Sequence, residues 1–507
     1  MSTSFSSYPS IRKWAIGLAL AFLFGLGAVI RFYDLTDLPL DFHPTRQLHS
    51  AMIARGMYYQ QRTDVPGWQR DMAVSNWKSE GLIEPPLIEA LVALVYRVTG
   101  SEQLWYARVA SILFWLAGGI ALFKLAGDVT GPGGALIALA YFLILPYGAL
   151  ASRSFQPDPL MTAVITAALA AMVHWEQKPG LSRAITAGLL SGLAILVKAV
   201  AIFFIGGAWV GVVLGSIGLR QALRSRQVWL IAILTTLPYA CYHIYGVYIS
   251  GAMASQFSMR FFPQLWVDPV FYLRWKNMIA STTGFPWFIV ALLSTFLVQK
   301  PAHRWMLVGM WSGYFLYGMS LSYHISTHDY YQLPLIPLVA LGLGAGAQVL
   351  LQNIRGPRLL LSVVVLTAVL FVLATEAWDV RVTLKRDDYR SEQVFWEKLG
   401  RKLGENVSVV ALTQDYGYRL SYWGWVDSEN WMTSSDFNLQ SLAGNETDTA
   451  QMFAGQVKGK DFFVVTMLGE LDRQPKLKSL LYSGYAVMEE TSDLVIFDLH
   501  RPLHSVP

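Results

Sequence analysis

Eleven stretches of this chain are apolar and long enough to cross a bilayer: residues 14–30, 103–125, 132–150, 159–175, 182–198, 200–218, 228–249, 284–299, 304–323, 332–351 and 357–378. In hydrocarbon every backbone N–H and C=O must be satisfied within the segment, so runs of this length fold as helices. The chain is 54% hydrophobic and 14% charged, against about 25% charged in an ordinary soluble domain. Its 18 Trp and 24 Tyr suit the aromatic belts at membrane interfaces. The pattern predicts a polytopic α-helical membrane protein.

Charge divides the chain in two. Residues 1–378 carry 25 Lys/Arg against 15 Asp/Glu, and residues 379–507 carry 14 against 19. The first part reads as a transmembrane domain, and the acidic tail as a separate soluble α/β domain outside the membrane. Arg220, Arg224 and Arg226 form one basic loop, Lys300 and Arg304 a second, Arg355 and Arg358 a third. All three fall on the cytoplasmic side if the N-terminus is cytoplasmic. Arg12 and Lys13 before the first run suggest a signal peptide, but the run is long and lacks a small-residue cleavage pattern, so it reads as an uncleaved span. Cys241 is the single cysteine and permits no internal disulfide. No Lys/Arg-rich arm resembles a nucleic-acid binding segment.

The segment "PPLIEALVALVYRV" at 85–98 is too short and, with Glu89 and Arg97, too charged to span. It is expected to lie on the outer surface as an interfacial helix, as is 44–60, which opens on Pro44. Both belong to a first external loop from Tyr33 to about Glu102. Further external segments are 152–157, a turn near Lys198, 250–283 and 322–332. In the tail, "NVSVVAL", "DFFVVTML" and "YAVMEETSDLVIFDL" read as strands and Ser391–Leu403 as a helix.

This topology gathers Asp41, His43, Arg46, Glu84, Arg108, Arg153, Asp158, Lys198, His324, His328 and Asp329 at one membrane face. Ionisable groups there are costly and mark substrate paths, although each alone also reads as a wetted loop residue. Four features come in order: an acid soon after the first span, "PPL" opening a surface helix, "YARVASILF" at the next span and "RSFQPDP" before a later one. Together they resemble the GT-C glycosyltransferases, in particular the protein O-mannosyltransferases and the lipid A aminoarabinose transferases, over residues 10–350.

The resemblance implies a polyprenyl-phosphate sugar donor drawn from the membrane lipid, and a glycan, lipid or protein acceptor. Asp41 is then the candidate general base that takes the acceptor proton; its other reading is a helix cap. Where the family has two adjacent acids, this chain has Asp41 followed by Phe42. A divalent metal held by Asp41, His43 and Asp158 is the one cofactor the set suggests, against a reading of His43 and His49 as surface-helix residues. Glu84 stands where relatives carry a basic residue; it suits sugar hydroxyls or a pair with Arg46 or Arg108. Arg108, Arg153 and Lys198, with Tyr330, are the candidate donor-phosphate ligands; the two arginines read equally as snorkelling anchors. Asp158 and His328 are the remaining candidates for sugar or acceptor.

The expected activity is inverting glycosyl transfer at the outer face of the cytoplasmic membrane. A transporter or flippase of lipid-linked sugars is the alternative, but transporters set ionisable groups near mid-bilayer. A ligase or polymerase of lipid-linked glycans lacks the early acidic loop with its "PPL" helix.

Overall fold

The computed structural model describes residues 10–81, 83–253, 260–353 and 358–503. Arg355 of the third basic loop and residues 254–259 of the 250–283 segment lie outside these. Among the described residues five helices are long and apolar enough to cross a membrane: Lys13–Phe32, Leu104–Val129, Asp158–Gln177, Arg226–Ile249 and Leu335–Asn353. The pair Pro269–Thr283 and Phe285–Leu297, bent by 89°, makes a sixth if it is one crossing. Pro132–Ile144, Leu181–Val197 and Ala201–Ser216 are apolar but shorter.

Local chemistry accounts for the breaks. The run expected to cross at 132–150 is two helices, Pro132–Ile144 and Pro146–Ala151. Pro146 has no N–H to continue the ladder and pushes Leu145 to an extended ψ of 122°. The 89° bend falls on Gly284, whose φ of +73° lies in the left-handed region, one residue before Phe285–Pro286 begins the next helix. Residues 269–283, expected within an external loop, are therefore helical.

Helices Ala201–Ser216 and Pro301–Ser320 approach so closely that side chains are excluded from the crossing. A Cβ on Gly309 would sit 2.0 Å from the Gly207 carbonyl oxygen, and one on Gly211 would sit 2.0 Å from that of Trp305. Helices in lipid associate through such small-residue seams because there is little hydrophobic drive between apolar surfaces.

Between the first two long helices lie three short ones, Pro44–Tyr59, Gly67–Ser79 and Leu87–Thr99. The middle one was not expected. It has a weak apolar stripe and buries only Ala73 fully. Pro44–Tyr59 is mostly buried instead, with Leu48, Ala51, Met52, Ala54 and Tyr58 inside.

Much of its cover comes from the C-terminal residues. There β1 (Ser408–Leu412), β2 (Asp427–Asn430), β3 (Phe462–Val465), β4 (Tyr485–Glu490) and β5 (Val495–Pro502) form one sheet in the order β2-β1-β3-β5-β4. β1 runs parallel to β2 and β3; β5 is antiparallel to β3 and β4. Alternation along the strands divides the side chains between two cores. Val409, Ala411, Val464 and Ile496 join Trp396, Leu399, Leu420, Leu48, Met52 and Ile88. Val410, Leu412, Phe463, Val465 and Phe497 join Trp431, Phe453 and Leu477. One sheet face and the short helices thus share a single apolar core. Helix Arg390–Leu403 agrees with the expected one; β2, "DSEN", is a polar edge strand that carries no hydrophobic signal.

The glycine seam predicts that Gly309→Ala forces the two helices apart, at a cost of about 1–3 kcal/mol for overpacking, read as a lower thermal midpoint in detergent. An unchanged midpoint would refute the close contact. A second prediction concerns Glu89, which is buried and accepts the Ser50 hydroxyl at 2.7 Å. Burial raises its pKa from 4.5 to about 7. The folded state therefore holds an extra proton between those values, and stability falls as pH rises through that window, by on the order of 3 kcal/mol when complete. Glu89→Gln should unfold at a higher temperature than the wild type at pH 8 and nearly with it at pH 5; a difference independent of pH would contradict this.

Candidate active site

The turn that precedes Pro44–Tyr59 is held in an unusual backbone conformation. His43 has φ 43° and ψ 64°, a left-handed geometry that non-glycine residues seldom adopt and that clusters at functional sites. It occupies the cap position, so Asp41 is not the capping residue. The fully buried Gln47 donates to the Phe42 carbonyl at 2.6 Å and accepts from the Phe155 N–H at 2.9 Å. The turn is thereby tied to the 152–157 link.

Asp41 Oδ1 accepts from Arg108 Nη2 at 3.0 Å, and the same nitrogen donates to the Leu38 carbonyl at 2.8 Å. The Arg108 side chain is 1% exposed and that of Asp41 21%. Asp41 Oδ2 makes no hydrogen bond among the described residues, and Arg108 Nε and Nη1 are buried without a partner. Arg153 acts on backbone: its Nη1 and Nη2 donate to the carbonyls of Tyr33 and Asp34, both at 2.9 Å. Burial and repulsion by Arg108 lower its pKa to about 10.

A second group lines a cavity of about 70 Å³, room for a handful of waters. Arg46, Glu84, Lys198, Arg260, Tyr330 and Tyr331 form its polar wall, and Leu196, Val200 and Met253 are among its apolar members. Lys198 Nζ donates to both oxygens of Asp158 at 2.8 Å, in a pair 6% and 1% exposed. Lys198 sits where helix Leu181–Val197 ends, and Asp158 begins the helix Asp158–Gln177, where the dipole favours a carboxylate. The Lys198 ammonium also lies 4.9 Å and 5.4 Å from the ring centres of Tyr330 and Tyr331, within cation–π range. Arg46 Nη2 reaches both Glu84 oxygens at 3.2 and 3.1 Å. Burial opposes the Glu84 charge, but Arg46, with Lys198 adding to it, holds the carboxyl down at about 2.

His43 Nε2 and Asp329 Oδ1 meet at 2.5 Å, linking the turn to the 322–332 segment. The His43 ring packs edge-on against Tyr330, with centroids 4.7 Å apart. Burial works against the Asp329 charge, while the bond to His43 lowers its pKa below the usual value. His328 packs near Tyr330 and contacts the Thr327 hydroxyl at 2.8 Å; burial and the His43 charge lower it to about 4. It is therefore neutral at physiological pH.

The sequence candidates fall into two neighbourhoods. Asp41 and Arg108 meet in one, with Arg153 beside them; Glu84, Lys198, Asp158 and Tyr330 meet in the other, and the His43–Asp329 pair adjoins it. Arg108 and Arg153 are not among the cavity's lining residues. Asp41, His43 and Asp158 do not converge as a ligand set, since each is spent on a different partner, and no group of three metal-ligating side chains occurs among the described residues. The Arg46–Glu84 pair is one of the two expected from the sequence, and Arg260 was expected only as part of the 250–283 segment covering the lipid; Asp329 and Tyr331 were given no role of their own, although the run "HDYYQ" was a signal for them.

The buried Lys198–Asp158 pair predicts that Lys198→Met leaves an uncompensated carboxylate and costs about 3–5 kcal/mol. Lys198→Met/Asp158→Leu should regain most of that loss in thermal unfolding. A double variant as unstable as the single one would show that the loss is not electrostatic.

Comparison with known proteins bears on the family and the fold. Residues 83–245 match the family described as dolichyl-phosphate-mannose-protein mannosyltransferase. A segment of 131 residues is 28% identical to the lipid A galacturonosyltransferase RgtD of Rhizobium johnstonii, spanning 26% of this chain and 28% of that protein. ArnT from Cupriavidus metallidurans, solved with undecaprenyl phosphate, superposes with a TM-score of 0.63 at 16% identity, over 94% of this chain and 97% of that one. The oligosaccharyltransferase AglB of Archaeoglobus fulgidus, in complex with an inhibitory peptide and a dolichol-phosphate, gives 0.54 at 10% identity, over 98% and 75%. The mycobacterial arabinofuranosyltransferase AftD gives 0.53 at 15% identity, over 97% and 40%. The chain thus resembles the GT-C glycosyltransferases, in sequence over residues 83–245 and in fold over nearly its whole length.

Proposed function

We propose that the protein is an inverting glycosyltransferase that moves a sugar from a polyprenyl-phosphate donor to a lipid, glycan or protein acceptor. In this reading it spans the cytoplasmic membrane eleven times with its N-terminus inside, and residues 379–507 form an extracytoplasmic domain. The observation that carries the proposal is the cavity that Arg46, Lys198 and Arg260 line together with Glu84, with Asp158 paired to Lys198 behind it. Such a wall favours an anion about the size of a phosphate group, and apolar residues adjoin it for a lipid chain. The superposition on ArnT solved with undecaprenyl phosphate supports the same ligand chemistry.

The assigned roles follow from the contacts. Arg108 orients Asp41 through Oδ1, leaving Oδ2 to take the proton from an acceptor hydroxyl. The hydroxyl oxygen attacks the anomeric carbon as the bond from that carbon to the phosphate oxygen breaks. Charge then builds on the departing polyprenyl phosphate, where Lys198, Arg46 and the Tyr330 hydroxyl stabilise it. A single displacement inverts the anomeric configuration. Glu84, Asp158 and His328 are assigned to positioning these cations and to sugar hydroxyls. Arg153 fixes the loop that carries Asp41, and no step is assigned to a metal. A transporter would need its ionisable groups near mid-bilayer, whereas these gather beyond the end of the first helix.

The test is transfer from a panel of polyprenyl-phosphate sugars, including mannose, galacturonic acid and aminoarabinose, in membranes matched for expression. Wild-type transfer should fall by at least a hundredfold in Asp41→Asn, with the product of opposite anomeric configuration by NMR. Normal transfer by the variant would remove Asp41 as base, and retained configuration would remove the single displacement.

A further inference from the structure

We propose a second ligand site, a saccharide-binding crevice at the edge of the C-terminal sheet. It rests on the transferase reading only for its purpose, the holding of a glycan part of the acceptor. The sheet supplies the position. After β1 the chain turns to the face that carries helix Tyr418–Gly424, with Leu420 and Tyr422 in the core shared with the short helices. After β3 it turns to the opposite face, where Leu471 and Leu477 lie. β1 and β3 are parallel neighbours, so their exits diverge and leave a gap beyond their carboxyl ends. Open α/β sheets bind ligands at such a switch point.

The gap is occupied by a crevice of about 410 Å³, within the range of small-ligand sites. Gln414 follows β1, Thr466 follows β3, Ser492 and Asp493 precede β5, and Glu392 and Phe395 face it from helix Arg390–Leu403. The Thr466 hydroxyl donates to Gln414 Oε1 at 2.5 Å across the gap. Glu392 uses only Oε2, accepting from Trp396 Nε1 at 2.9 Å and Arg419 Nη1 at 2.8 Å. Hydroxyls, an amide and two carboxylates around a half-buried aromatic ring suit a polyhydroxylated ligand. No Lys or Arg lines the crevice, which disfavours phosphate and acidic sugars. The ligand class is therefore a neutral or amino-bearing saccharide.

The crevice is joined to the candidate active site by a short polar path. Arg419, bonded to Glu392, also donates to Asp415 Oδ2 at 2.5 Å, and Asp415 Oδ1 accepts the Thr45 hydroxyl at 3.1 Å. Thr45 lies between His43 and Arg46. Asp415 and Tyr416 hold left-handed φ values of 54° and 57°, so this connection is kept at a cost in backbone strain.

The experiment uses the full chain in lipid nanodiscs without donor and reads saturation-transfer NMR of chitobiose, mannobiose and a galacturonic acid disaccharide. Saturable binding of chitobiose or mannobiose, weakened at least tenfold by Phe395→Ala and by Ser492→Trp, is expected. Ser492 is exposed on the rim, so its replacement fills the crevice without entering a core. Absence of saturable binding, preference for the acidic disaccharide, or equal binding by Ser492→Trp would overturn the proposal. Because no turnover is involved, Asp41→Asn should bind as the wild type does. Loss of transfer activity with intact saccharide binding would count against the transferase reading alone.

Discussion

Burial of the helix Pro44–Tyr59 between the membrane helices and the C-terminal sheet is the constraint on which the candidate site depends. That helix is nearly neutral in amphipathic character, and its stability comes from tertiary contacts rather than from a strong apolar stripe. Leu48, Ala51 and Met52 lie in the same core as Val409, Ala411 and Ile496. Arg55 adds a polar bond to the Tyr422 carbonyl and a 2.8 Å pair with Glu102. Gln47, bonded to the Phe42 carbonyl and the Phe155 N–H, fixes its first turn, and with it His43, Arg46 and the preceding Asp41. If Asp41 is the base, as proposed, its place on a turn needs such a foundation, because a displacement of about 1 Å can cost two orders of magnitude in rate.

Electrostatics imposes the second condition. Charges removed from water must be matched nearby or change protonation state, and the sequence answers with pairs that bridge distant parts of the chain. Arg108 joins Asp41, Arg46 joins Glu84 and Lys198 joins Asp158, and Asp329 is hydrogen-bonded to His43. Each pair holds one segment against another, so the ionic contacts that neutralise the site also assemble it. Arg153 does the same with carbonyls, closing the loop after the first helix.

The longest hydrophobic segments were legible because spanning length and apolarity are properties of the run itself, but among the described residues only five helices, or six with the bent pair, meet that test, against the eleven spans expected. Their interruptions were less so: Pro146 was visible, but a 13-residue helix followed by a 6-residue one depends on neighbours that cover the break. Helix Gly67–Ser79 escaped for the opposite reason, having too little apolar pattern to stand out. In the tail, β1, β3 and β5 announced themselves through Val, Ile and Phe, whereas β2 is polar and exists only by pairing with β1. The candidate site shows the same division. The polar set was expected at one membrane face from the predicted topology, and in the structure it falls into two neighbourhoods. Which acid meets which base is decided by three-dimensional packing: Arg108, read from the sequence as a phosphate ligand, also contacts Asp41, and Arg153 contacts the carbonyls of the loop after the first helix.

Glu84 illustrates how a site that holds a carboxylate can still suit an anion. A carboxylate among the cations would seem to cancel the attraction, yet Arg46 gives Glu84 only Nη2. Its Nε remains buried and without a partner. A guanidinium can serve a carboxylate on one edge and a phosphate on another, since its five N–H groups fan out in a plane. In the proposed mechanism Glu84 is a splint that fixes the arginine before the donor arrives. Lys198 is likewise held by Asp158 on one side and two tyrosine rings on the other. Under the proposed reaction, cations immobilised in this way need little reorganisation as charge develops on the leaving phosphate, and such preorganisation is where electrostatic catalysis gains most.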